Sequence, residues 1–139
     1  MTLKPSLKTI KADLSKLKEF EVIIYGSFCT SYFHQRSDID IAVITRKNLP
    51  ELNKKIWAEL LGKAPDKYDV KIFELLPLEI KISAMKNYKV IFGDKLDISE
   101  HFYHFRKLWV DVAHRFYENQ FSHFHEKAKA LRASIAQES

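Results

Sequence analysis

Tyr25-Gly26-Ser27-Phe28-Cys29-Thr30-Ser31-Tyr32-Phe33-His34-Gln35-Arg36-Ser37-Asp38-Ile39-Asp40 joins two apolar runs, the first ending in Gly-Ser and the second beginning Asp-x-Asp. The run before it, 20–25, is β-branched and aromatic and stops at Gly26, which predicts a short buried strand. The run after it, 38–45, predicts a second strand. Alternation puts Ile39, Ile41 and Val43 on one face of that strand and Asp38, Asp40 and Ala42 on the other. Between the strands, Ser27 to Phe33 reads as a short helix entered through Ser27, and 34–37 as a polar turn.

Working outward, Leu7, Ile10, Leu14 and Leu17 recur at helical spacing, so 5–19 is expected to be an amphipathic helix with Pro5 in its first turn. A second helix is expected over 49–61, capped by Asn48 and ended by Gly62. A third strand over 67–75 turns Asp69, Lys71 and Phe73 one way and Tyr68, Val70 and Ile72 the other. A helix from Pro77 to Met85 and a fourth strand over 88–92 follow. From Ile98 onward there is neither Gly nor Pro. The apolar stripe Ile98, Phe102, Phe105, Trp109, Val112, Phe116, Phe124, Ala128, Leu131 and Ile135 predicts one long helix, or two broken near Asn119-Gln120. A helix of roughly 35 residues would span about 50 Å. Its near half is expected to pack on the sheet and its far end to find a partner, another copy included. The expected organisation is a core over 1–95 and a helical extension over 96–139.

The bulk properties narrow the class. A chain of 139 residues suits one core without staples. One cysteine, Cys29, leaves no internal disulfide framework. No apolar run reaches membrane-spanning length, and no signal-peptide segment opens the chain, so a cytoplasmic protein is expected. The net charge is +5, yet the excess sits mainly in the first 20 residues, with five lysines against Asp13 and Glu19. That is a solvated helix face rather than a basic stripe, so nucleic acid is not the expected partner.

The chemistry lies in the opening stretch. Gly26 permits close backbone approach, and Ser27 opens a helix whose first amides lack internal partners, which suits a phosphate. Asp38 and Asp40 project from one strand face roughly 7 Å apart. Held that close, two carboxylates repel unless a cation lies between them. Oxygen ligands beside a phosphate suit Mg²⁺. A third acid on a neighbouring strand would complete a two-metal site with ions about 3.5–4 Å apart. Asp69, opening an apolar strand as Asp38 does, is preferred for that place over Asp66.

The order strand, Gly26-Ser27, helix, Ser37-Asp38-x-Asp40, strand resembles the DNA polymerase β-like nucleotidyltransferase superfamily, and most of all its small single-domain members, the minimal nucleotidyltransferases. The resemblance covers about 5–95. It implies an α/β (α+β) fold: a mixed sheet of about four strands flanked by helices, here followed by a long C-terminal helix. It implies two Mg²⁺ ions and a nucleoside triphosphate, ATP in the expected case. Gly26 and Ser27 would hold the triphosphate, with Ser37 beside them. Asp38 and Asp40 would hold both metals. Asp69 would ligate the catalytic metal and help deprotonate the attacking hydroxyl. Thr30 and Ser31 stand where many small members carry a basic residue and a second Gly.

Lys71 shares the Asp69 face and serves either phosphate charge or solvent. His101, His104, His114, His123 and His125 lack the further ligands of a tetrahedral site and read as surface or partner-facing residues. Minimal nucleotidyltransferases are often paired with a helical HEPN-domain ribonuclease toxin. The tail does not carry that toxin's own Arg and His spacing, since seven residues separate Arg106 from His114 and Arg115 from His123. The resemblance therefore implies an antitoxin that adenylylates a tyrosine of a separate HEPN toxin. Two other readings stand beside it: a catalytically silent module that neutralises a partner by burying it, and a transferase acting on a small molecule or an RNA end.

Overall fold

The computed structural model describes residues 4–31, 33 and 38–138; within the last helix the side chains of 116, 120, 121, 124 and 134–138 are not described. Each element follows from local sequence. Ser6, after Pro5, caps α1 (Leu7–Asp13), its hydroxyl accepting from the Thr9 amide at 3.2 Å. The expected single helix over 5–19 is broken: after Leu14 the chain tightens into a 3-10 turn, Ser15–Leu17. The break still buries Ile10, Leu14 and Leu17 completely. Strand β1 (Glu21–Tyr25) follows, then a 3-10 turn, Gly26–Cys29, and β2 (Ile39–Ile44).

Helix α2 (Pro50–Leu60) begins with Pro50, whose missing N–H costs nothing in the first turn. Its cap position is Leu49, without a side-chain cap bond, and not the expected Asn48. Strand β3 (Tyr68–Ile72) is shorter than expected, because Phe73–Leu75 form another 3-10 turn. Helix α3 (Leu78–Lys86) and strand β4 (Tyr88–Phe92) complete the sheet region. Helix α4 runs unbroken over Lys95–Glu138. Its 44 residues make it about 66 Å long at 1.5 Å per residue.

The sheet order is β3-β2-β1-β4. Strand β1 is antiparallel to β2 and β4, whereas β2 and β3 are parallel and joined through α2. One face carries Val22, Ile24, Ile39, Ile41, Val43, Tyr68, Val70 and Ile72, which pack with Ile10, Leu14, Leu17 and Leu60 into the main core. The alternate positions Tyr25, Asp40, Ala42, Asp69 and Lys71 occupy the other face. The chain forms two compact units, 1–100 and 101–139. Among the described residues no helix is long and apolar enough to cross a membrane.

Candidate active site

Strand register assembles the site. Tyr25 on β1 stands opposite Asp40 on β2, and Asp40 stands opposite Asp69 on β3. The three side chains therefore form one row across three strands. Asp66 lies in the turn before β3, outside that row. Asp38 precedes β2 and is exposed; alternation puts it on the face of Asp40. Lys71, one alternation beyond Asp69, brings its Nζ to 3.5 Å from Asp69 Oδ2.

Gly26 closes against this row. Its φ is +75°, in the left-handed region, and a Cβ there would collide with Asp40 Oδ2. The glycine therefore serves two demands, the turn and the close approach of backbone to carboxylate. The segment after it is a single 3-10 turn, shorter than the helix expected over 27–33. It stops because the Thr30 amide and hydroxyl both donate to the Ser27 carbonyl, at 3.0 and 2.9 Å. Thr30 thus closes the turn. Lys4 holds the same turn from outside. Its ammonium donates to the Phe28 carbonyl, and to the Thr30 carbonyl at 2.9 Å, and sits over the Phe28 and Phe33 rings at 5.2 and 5.8 Å. Ser37 and Arg36 lie outside the described residues.

The electrostatics mark the row. Burial raises the Asp40 carboxyl above its ordinary range; Asp69 and Asp38 raise it further, and Lys71 opposes them. Burial also raises the Tyr25 phenol, with Asp40 and Asp69 adding to it, so Tyr25 stays a neutral hydroxyl. Beside the row opens a cleft of about 350 Å³, bounded by Tyr25, Gly26, Asp40 and Lys71 on the sheet side and by Leu76, Pro77, Ile80 and Ser83 on the α3 side.

The donor set suits a hard divalent cation: neighbouring carboxylates, one of them with its pKa raised by burial and then by the negative field of the others. Among the described residues no three acidic, imidazole or thiol groups converge tightly enough to hold an ion as they stand. The two carboxylates of the row, Asp40 and Asp69, are neighbours, and Asp38, just before β2, is exposed to solvent. Mutual repulsion favours that spread.

A sequence-family model described as "Polymerase beta, Nucleotidyltransferase" matches residues 8–97. The chain belongs to the polymerase β nucleotidyltransferase family. A Methanocaldococcus jannaschii protein bearing the provisional name of protein adenylyltransferase is 47% identical over 115 residues, covering 83% of this chain and 89% of its own. Solved structures of similar shape include a toxin–antitoxin with AMP-PNP, at 19% identity and a TM-score of 0.43 over 74% of this chain and 97% of that one. Another is a tri-AMPylated Shewanella oneidensis HEPN toxin in complex with MNT antitoxin, at 17% identity and a TM-score of 0.40 over 78% and 98%. Asp40 and Asp69 stand opposite each other on the sheet face that alternation predicts for them, and Asp38 precedes β2. Sequence reasoning missed Tyr25, Lys4 and the α3 wall. Tyr25 was legible in principle, since it directly precedes Gly26 and closes β1. Nothing in the sequence connects Lys4 to Phe28 and Thr30.

Proposed function

We propose that this nucleotidyltransferase moves AMP from ATP, with Mg²⁺, onto a hydroxyl of a protein, a tyrosine of a HEPN-domain toxin, and acts as its antitoxin in the cytoplasm. The observation that carries the proposal is the register Tyr25–Asp40–Asp69 with Gly26 closed against Asp40. The relative named as a protein adenylyltransferase supports a protein acceptor.

In this reading Asp38, Asp40 and Asp69 would hold the Mg²⁺. Bound Mg²⁺ would draw charge from the α-phosphate and from the departing pyrophosphate. The chain's own residues do the rest. Gly26 and Ser27 grip the β and γ phosphates and fix the leaving group. Asp69 orients the acceptor hydroxyl and receives its proton. The acceptor oxygen bonds to the α-phosphorus while the bond from that phosphorus to the α–β bridging oxygen breaks, and pyrophosphate leaves with the electron pair. Lys71 offsets negative charge at Asp69 and across the phosphates. Positioning and electrostatic stabilisation carry such transfers.

Co-expression with a HEPN-domain protein from the same genome tests the proposal. The intact mass of that protein should rise by one or more AMP groups on tyrosine, and Asp38→Asn should abolish the gain. An unmodified partner under active expression would refute it. A second reading, in which the protein neutralises a partner by burial alone, is favoured by exposed apolar residues on α4, among them Tyr103, Leu108, Val110 and Tyr117. It wins if Asp38→Asn still neutralises the partner in cells. Transfer to a small molecule or an RNA end would appear as label on those acceptors instead. In either protein-partner case the extension over 96–139 is the proposed contact surface, for the partner or for a second copy.

A further inference from the structure

We infer that Trp57, with the groove beside it, anchors an extended segment of the acceptor protein next to the hydroxyl that receives the nucleotide. The inference rests on the transfer reading above and adds where the acceptor lies and what it presents. In-line displacement fixes the sides of the site: the entering oxygen approaches opposite the leaving group. The leaving pyrophosphate is assigned to Gly26 and Ser27, after the end of β1. The row runs from there through Asp40 on β2 to Asp69 on β3. The acceptor must therefore come over β3, which is the edge strand of the sheet.

A groove lies on that side. The cleft at Asp40 shares Lys71, Leu76 and Pro77 with a second cavity of about 280 Å³, which Trp57, Ile72 and Leu75 complete. Lys71, Leu76 and Pro77 wall both cavities, so the indole lies one side chain, Lys71, beyond the cleft at the reacting centre. Trp57 is 38% exposed although it sits on a core-facing helix. Its Nε1 donates to the Val70 carbonyl at 2.8 Å, which orients the ring against the edge of β3. Apart from Lys71 the far cavity is walled by apolar side chains. Its occupant is an apolar or aromatic residue flanking the acceptor hydroxyl, held on a rigid indole as interface anchors are. A purely structural Trp57 would only cover the β3 edge.

The test uses the full chain with Trp109→Phe, which leaves Trp57 as its sole tryptophan, and tyrosine peptides of a Gly/Ser background with a single Leu scanned through the flanking positions. Leu-bearing peptides should shift Trp57 fluorescence saturably and outbind the Leu-free parent about tenfold. In transfer assays Trp57→Ala should raise KM for the favoured peptide about tenfold with KM for ATP unchanged, whereas Trp57→Phe should keep the preference. A structural role alone predicts lower stability in both variants and no change in peptide preference. The inference is overturned if no peptide shifts the fluorescence, if the Leu preference survives Trp57→Ala, or if KM for ATP rises instead, which would put the base on Trp57. Fluorescence binding without any label transfer would refute the transfer reading and leave the groove standing.

Discussion

Asp40 is held in a state that the fold alone does not favour. It is half-buried, faces Asp69 across the strand register, and has Gly26 pressed against its carboxylate. Its folded pKa lies above its unfolded value, so this group's stability contribution is present at acid pH and lost as pH rises through the raised value. Asp40→Asn should therefore raise the melting temperature of the metal-free protein at neutral pH, and the gain should vanish well below the carboxylate range. Thermal melts at the two pH values read this directly. Added Mg²⁺ should raise the melting temperature of the parent and not of the variant. Transfer by the variant should fall by more than the roughly 10–100-fold that loss of an outer-shell partner costs. Gly26→Ala should be worse for folding: a left-handed conformation costs a non-glycine residue about 1–2 kcal/mol, before its Cβ displaces Asp40. Chemical denaturation checks that. Lys4→Met keeps an apolar stem against Phe28 and Phe33 and removes the donor to the turn. It should raise KM for ATP and leave the melting temperature within about 2–3 °C of the parent, because exposed polar contacts contribute little to stability.

Among the elements, the end of β2 is fixed by a polar network. Thr45 Oγ1 donates to Asn53 Oδ1 at 2.6 Å, Asn53 Nδ2 donates to the Lys47 carbonyl at 2.9 Å, and Glu74 accepts from the Thr45 and Arg46 amides at 3.0 Å each. Asn53 is the buried polar residue at the centre of this network. Asn53→Ala should cost about 1–3 kcal/mol in urea denaturation, since it removes a buried side chain together with its hydrogen bonds to Thr45 and Lys47, with KM for ATP unchanged. This network joins β2 to α2 and to the turn after β3, and so keeps Asp40 and Asp69 in register. The strands were legible in the sequence because short β-branched and aromatic runs stop at Gly26 and at Gly93, and alternation sorted Asp38 and Asp40 from Ile39 and Ile41. The shortened turn after Gly26 was not. Its end is set by the local Thr30 bonds to Ser27 and by Lys4, which reaches Phe28 and Thr30 from the other side of β1 in the sequence. The break in the first helix at Leu14 was equally hidden, because Leu14 and Leu17 stay in helical phase while the backbone changes pitch.

At the scale of the molecule, the sequence carries a family signature in its first 95 residues and little specific chemistry beyond them. Asp69 illustrates the limit. Its type and strand position are visible in the chain, but its pairing with Asp40 follows from the parallel β2–β3 arrangement, which needs the α2 crossover. The α4 stripe predicts a helix, and Lys95–Glu138 is one, yet periodicity does not name what the exposed Val112 and Leu131 would meet. The positive excess sits mainly in the first 20 residues, so a salt titration of RNA binding should show a shallow slope. The central claim is that the Asp38, Asp40 and Asp69 carboxylates beside Gly26-Ser27 transfer a nucleotidyl group to a protein. Purified protein, Mg²⁺ and the HEPN-domain protein, given ATP labelled at either the α or the γ phosphate, test it most directly. Tyrosine label should come from α-labelled ATP only and be lost in Asp40→Asn and in Asp69→Asn. Label from γ-labelled ATP, or transfer that survives both substitutions, would contradict it.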